Sequence, residues 1–169
     1  YYWMGYLQLN VNTYNAYYWF LQCYNLEPTY IENLLDMLKI LFDDEDYISI
    51  QKINDCNNNI LYTSPDIRVK VFTAAYEAKM KRFSNAVELY KKIIHNKNIE
   101  LEHDLGIICY SNIGIISNDL GNVYEAVKYL ECATDMIYKT KIQQLIDIKP
   151  NFVYSNLFLT YNYTYQDVG

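Results

Sequence analysis

The stretch that most constrains this chain runs from Tyr110 to Ala133. At helical period it reads as two short amphipathic helices joined at Leu120-Gly121-Asn122, with small residues at Gly114, Ala126 and Ala133. Small side chains in both arms of such a pair mark where two helices must come close, and the glycine marks where the chain turns back. The stretch is therefore a helix-turn-helix hairpin.

The same pattern of small, aromatic and turn residues recurs upstream. Ala16, Ile50 and Ala86 are the counterparts of Ala126, at spacings of 34, 36 and 40 residues. This divides the chain into copies at about 1–28, 29–58, 66–95 and 106–138. A partial copy at 151–163 follows, where Tyr154-Ser155-Asn156-Leu157 echoes Tyr110-Ser111-Asn112-Ile113. Pro28 ends the first copy, because proline cannot continue a helix. In the second copy Leu34, Met37, Leu38 and Leu41 form the buried stripe of a first helix.

Asn12, Asp46, Arg82 and Asn122 precede the four second helices. Three of these four are strong N-caps, and Glu125 follows Asn122 at capping-box spacing. The acidic run Asp43–Asp46 lacks the alternating ligands and glycine of a calcium loop and reads as a solvated turn. Asn57–Asn59 and Thr63–Pro65 predict a lengthened loop, and residues 96–104 another.

With these residues in place the chain resembles the tetratricopeptide repeat (TPR). Tyr110, Ile113, Gly114, Gly121, Ala126, Leu130 and Ala133 stand at the family's signature positions in its 34-residue pattern. The resemblance implies an all-α fold, a right-handed superhelical solenoid of about four helix hairpins plus a terminal helix. It also implies that the first helix of each hairpin lines a concave binding surface.

Carried onto this sequence, the inner-face positions of that family select Lys39 and Phe42 in the second copy. They select Arg68, Phe72 and Lys79 in the third, and Ser111, Asn112, Ile115 and Asn118 in the fourth. Phe152, Asn156 and Asn162 follow in the terminal helix. Asn112, Asn118, Asn156 and Asn162 form an expected ladder of amides, each with a donor and an acceptor for the backbone of an extended peptide. The aromatic and aliphatic neighbours would take its side chains.

Asn112 and Asn156 also match the Tyr-Ser-Asn of the TPR co-chaperones that grip a C-terminal carboxylate. The basic residues that complete such a clamp are absent. Irregular repeat lengths and asparagine-bearing inner helices look like the sensor domains of Gram-positive peptide-pheromone receptors of the Rgg and PlcR type. That resemblance implies a cytosolic, peptide-responsive transcriptional regulator whose DNA-binding part lies elsewhere. The alternative is a scaffold or co-chaperone-like adaptor that binds a protein partner.

Composition bears on what else the chain does. A net charge of -6 argues against direct nucleic-acid contact, which rests on clustered Lys and Arg. The short clusters Lys79–Arg82 and Lys91–Lys92 read as solvated faces. Four scattered cysteines without a C-x-x-C pair predict reduced, mostly buried thiols in a cytoplasmic setting. His95 and His103 form no metal-ligand pattern and are expected to face water.

No apolar run is long enough for a membrane span, and the start at Tyr1 rather than Met suggests a piece of a longer protein. No nucleophile elbow, phosphate loop or metal cluster is present, so no enzymatic activity and no cofactor are expected. The many tyrosines, twenty in all, suit half-buried helix ridges, and the aromatic ends of the chain also suggest a homodimer.

Overall fold

The computed structural model describes residues 1–9, 11–96 and 103–139; their regular structure is all helical, with no strand among them. The order is α1 (Tyr2–Gln8), α2 (Thr13–Leu26), α3 (Ile31–Asp43), α4 (Tyr47–Cys56), α5 (Ile60–Thr63), α6 (Ile67–Lys79), α7 (Phe83–Ile94), α8 (His103–Asp119) and α9 (Val123–Lys139). The all-α expectation holds. The expected terminal helix at 151–163, with Phe152, Asn156 and Asn162, lies outside the described residues.

Two compact units divide the chain, Tyr1–Val69 and Lys70–Gly169. In the first, α1 packs on α2, α2 on α3 and α3 on α4. Its core holds Ala16, Phe20, Met37 and Ile40, with Tyr2, Tyr24 and Ile53 packed against them. Leu34, Met37, Leu38 and Leu41 are all buried, as the periodicity of α3 requires. Gly5 brings α1 against α2, since a Cβ there would lie 2.6 Å from the ring of Phe20. In the second unit α8 packs on both α7 and α9.

Three of the hairpins close with one and the same turn. At Glu45, Lys81 and Gly121 the backbone takes the left-handed conformation, with φ of 58°, 59° and 77°. The next N–H then reaches back to a carbonyl of the preceding helix: Asp46 to Leu41 at 2.8 Å, Arg82 to Glu77 at 2.9 Å, Asn122 to Ser117 at 2.8 Å. This helix stop satisfies carbonyls that the helix itself leaves open, and glycine adopts it without strain.

The recurring small and branched residues Ala16, Ile50, Ala86 and Ala126 are fully buried. At Gly114 α8 and α9 come close, since a Cβ there would stand 2.6 Å from Leu130 Cγ and 3.1 Å from the Ala126 carbonyl oxygen.

Capping follows the sequence at three of four turns. Asn12 Oδ1 accepts from the Asn15 N–H at 3.0 Å, Asp46 from Ser49 at 3.1 Å and Asn122 from Glu125 at 3.3 Å. Asn122 Nδ2 also donates to Glu125 at 3.0 Å.

Two expectations need correcting. The segment after α4 is not one long loop but includes the helical turn α5, docked by buried Asn54, whose Oδ1 accepts from the Leu61 N–H at 3.1 Å. The cysteines are all free, but only Cys109 is buried, while Cys56 is exposed and Cys23 and Cys132 are half-buried. Burial pushes the Cys109 thiol up to about 12, so it stays protonated.

Candidate functional site

The positions expected on an inner face have the same exposure in α6 and α8. Phe72, Ala75 and Ala78 on α6 are half-buried, as are Asn112, Ile115 and Asn118 on α8, and Lys79 and Asp119 at the ends are exposed. Each helix therefore carries a strip three side chains long, neither core nor fully solvated. On α6 the strip is apolar; on α8 an isoleucine sits between two amides. Such a surface can hold an extended chain by amide hydrogen bonds while covering its apolar side chains.

Several of the expected site residues are otherwise engaged. Ser111 does not reach this surface, because its position on α8 turns it into the core, where it is 3% exposed. Asn112 Nδ2 donates to the Tyr90 hydroxyl at 2.8 Å, so one of its donors serves the packing of α7 on α8. Burial raises the Tyr90 phenol above its ordinary value, and the bond from Asn112 offsets part of that.

Arg68 is not a free cation. Its guanidinium holds Asp66 Oδ2 at 2.8 Å and Glu32 Oε1 at 3.3 Å, and the bonded guanidinium keeps the Asp66 carboxyl below its usual range. In the first unit Lys39 is exposed and Phe42 is half-buried, with its ring edge-on to Tyr47 at 6.1 Å. Asp36, also on α3, is half-buried and hydrogen-bonded to Tyr2. Desolvation holds its carboxyl above the ordinary value despite that bond.

The basic clusters are also more than solvated faces. Lys91 Nζ lies 2.5 Å from Glu125 Oε1 and also stands over the Tyr129 ring, and the carboxylate holds the ammonium above its ordinary value. Lys92 pairs with Glu88 one turn back at 2.6 Å. His95 faces solvent as expected, its Nδ1 2.8 Å from the Lys91 carbonyl oxygen, and the side chain of His103 lies outside the described residues.

Two features escaped the sequence reading. One is a buried carboxylate, Glu77, whose side chain is 3% exposed. Arg82 grips it in a two-pronged fork at 2.8 and 2.6 Å, and Asn85 Nδ2 donates to it at 3.2 Å. Arginine has no acceptor with which to cap a helix, and here it turns back to the preceding one instead. Its presence at the one turn without Asn or Asp was the available signal.

The other is a groove of ≈ 750 Å³ along α7, lined by Val87, Leu120 and Ser117 together with the Lys91–Glu125 pair and His95. It lies beside α7 and the turn before α9 rather than along the α6 and α8 strips. Its charges are paired with each other, which leaves a mixed, nearly neutral rim.

Among the described residues no group of three or more His, Cys, Asp and Glu side chains could hold a metal ion. Among them, no helix is long and apolar enough to cross a membrane. No protein-family model, curated protein or solved structure matches the chain.

Proposed function

We propose that the chain is a TPR-like superhelical repeat array that binds a short peptide along its first helices. Within that reading it is the ligand-sensing domain of a cytoplasmic, peptide-responsive transcriptional regulator, with no catalytic role of its own. The observation that carries peptide binding is the repeated half-buried strip, Phe72–Ala75–Ala78 on α6 and Asn112–Ile115–Asn118 on α8. Equal exposure at equivalent positions, with apolar groups on one helix and amides on the other, is what an extended ligand requires of both its side chains and its backbone. The three matching turns and the buried Ala16, Ile50, Ala86 and Ala126 support the repeat reading.

The test is calorimetric titration with a panel of short hydrophobic peptides. Asn118 is the amide to remove, since Asn112 also braces Tyr90. Saturable binding that Asn118→Ala weakens by about fivefold, the value of one hydrogen bond, is the expected result. Ile115→Asp should abolish it. Peptide affinity unchanged in both variants would refute the strip as the site.

The groove beside α7 favours a second reading, an adaptor that docks a folded partner. Its paired charges and the apolar side chains Val87 and Leu120 among its lining resemble the mixed surface of a protein-protein contact more than a peptide track. Recovery of a stoichiometric protein partner lost on Val87→Glu, with Asn118→Ala harmless, would select that reading.

A further inference from the structure

Apart from Gln8 at its end, helix α1 carries apolar and aromatic residues on every side. Tyr2, Gly5 and Leu9 face α2 and the core, as their burial shows, but the opposite positions carry Trp3, Met4, Tyr6 and Leu7, all exposed. Trp3 is 71% exposed and Leu7 70%. In α7 the exposed positions are instead Ser84, Asn85, Glu88 and Lys92. A helix that is hydrophobic all round belongs in an interior.

The surface extends beyond α1 through stacked rings. Tyr1 lies on Trp19 at 5.7 Å, Tyr18 meets Trp19 edge-on at 5.3 Å, and Trp3 meets Tyr6 at 5.9 Å. With ~200 Å² per large side chain, the exposed parts of Tyr1, Trp3, Met4, Tyr6, Leu7 and Tyr18 amount to ~700 Å². That exceeds the largest apolar patch of an ordinary monomer, ~300–600 Å². It approaches the ~800 Å² that each partner contributes to a standard interface.

Charge decides what covers it. Residues 1–26 contain no Asp, Glu, Lys or Arg, although the whole chain carries 20 acidic and 14 basic residues; the first charge is Glu27. A charged peptide would find no complement here. An anionic lipid surface attracts through Lys and Arg, and this face offers neither. A second copy of the same face is matched: ring meets ring, and the net charge of -6 on each copy stays outside the contact.

We infer that the outer face of α1, with Tyr1, Tyr18 and Trp19 beside it, joins two copies of the chain in an isologous dimer about a two-fold axis. Tyrosine, tryptophan and methionine are the residues enriched in the buried centre of such contacts.

Sedimentation equilibrium of the 169-residue chain tests this. A dimer should predominate at ~10 µM, within the affinity range of interfaces of this size, and should not weaken as salt rises. Trp3→Glu and Leu7→Glu, each at an exposed position and so compatible with folding, should each raise the dissociation constant by ~30-fold or more. Tyr124→Glu, on α9 and 84% exposed, is the matched control and should leave association unchanged. Since the chain has only two tryptophans, Trp3 and Trp19, dimerisation should also shift their emission to the blue with concentration.

A chain that stays monomeric at ~100 µM overturns the proposal, whether or not it binds phosphatidylcholine vesicles instead. A dimer that dissociates no more in the Trp3 and Leu7 variants than in the Tyr124 variant overturns it as well.

Discussion

Alanine at position 114 puts two effects of known size against each other. In a helix interior, Gly→Ala alone stabilises by about 1 kcal/mol, because alanine has less backbone freedom to lose. At Gly114 the new methyl would stand 2.6 Å from Leu130 Cγ and 2.9 Å from Leu130 Cδ2, with the Ala126 carbonyl oxygen at 3.1 Å. Leu130 is fully buried and cannot swing into solvent, so α8 and α9 must move apart. Overpacking of this kind costs about 1–3 kcal/mol, and the net effect of Gly114→Ala should be a loss of up to about 2 kcal/mol.

Truncating the opposing side chain reverses the sign. Leu130→Ala should cost about 2–5 kcal/mol by itself through the cavity it leaves. In that background the two closest atoms are gone, and Gly114→Ala should be neutral or stabilising by up to about 1 kcal/mol. The four proteins of the cycle can be compared by urea unfolding followed by far-ultraviolet circular dichroism, with a coupling of about 1–3 kcal/mol expected. Gly114→Ala stabilising the parent by the full propensity gain would refute the close helix contact. So would a cost that persists unchanged when Leu130 is alanine.

Other consequences follow from the turns and the ion pairs. Lys81 holds a left-handed φ of 59° without being glycine, so Lys81→Gly should stabilise by about 0.5–1 kcal/mol in the same assay; Gly121→Ala, with open space around its Cβ but φ of 77°, should lose about as much. Arg82→Met strips the fork from buried Glu77 and should cost about 3–5 kcal/mol, whereas Lys92→Met, which breaks an exposed pair, should change stability by less than about 1 kcal/mol.

Asp66 and Asp46 are held below their ordinary value of 3.8, the first by Arg68 and the second by Ser49. Their contribution is therefore complete above that value and lost as pH falls through the lower folded-state values. Stability should decline in acid below pH ~4, and Asp66→Asn should make that decline shallower in acid-titration melts. Asp36 acts in the opposite direction, since burial raises its carboxyl and its protonation favours the folded state.

What could be read from the chain was local. The stripe Leu34–Met37–Leu38–Leu41, the caps at Asn12, Asp46 and Asn122 and the stop at Gly121 depend on interactions within one or two helical turns. Three- and four-residue spacing puts those partners in register in the sequence itself. The close approach at Gly114 was legible for a related reason, because a missing side chain in one helix and small ones in its neighbour announce a contact without naming its geometry.

Which polar groups remain open to a ligand was decided only by tertiary structure. Asn112 finds Tyr90 across 22 residues, Lys91 finds Glu125 across 34, and Arg68 finds Glu32 across 36. Each pairing depends on how one helix is laid against another, which no periodicity records. Asn33 is fully buried and donates to the Phe20 carbonyl at 3.0 Å, a partner thirteen residues away that helical spacing does not indicate. The sequence by itself determined the helices, their stops and the small residues between them, because those follow from chain-local geometry. The packing alone decided which amides and cations are committed, because a hydrogen-bond donor is free or engaged only once its neighbours in space are set.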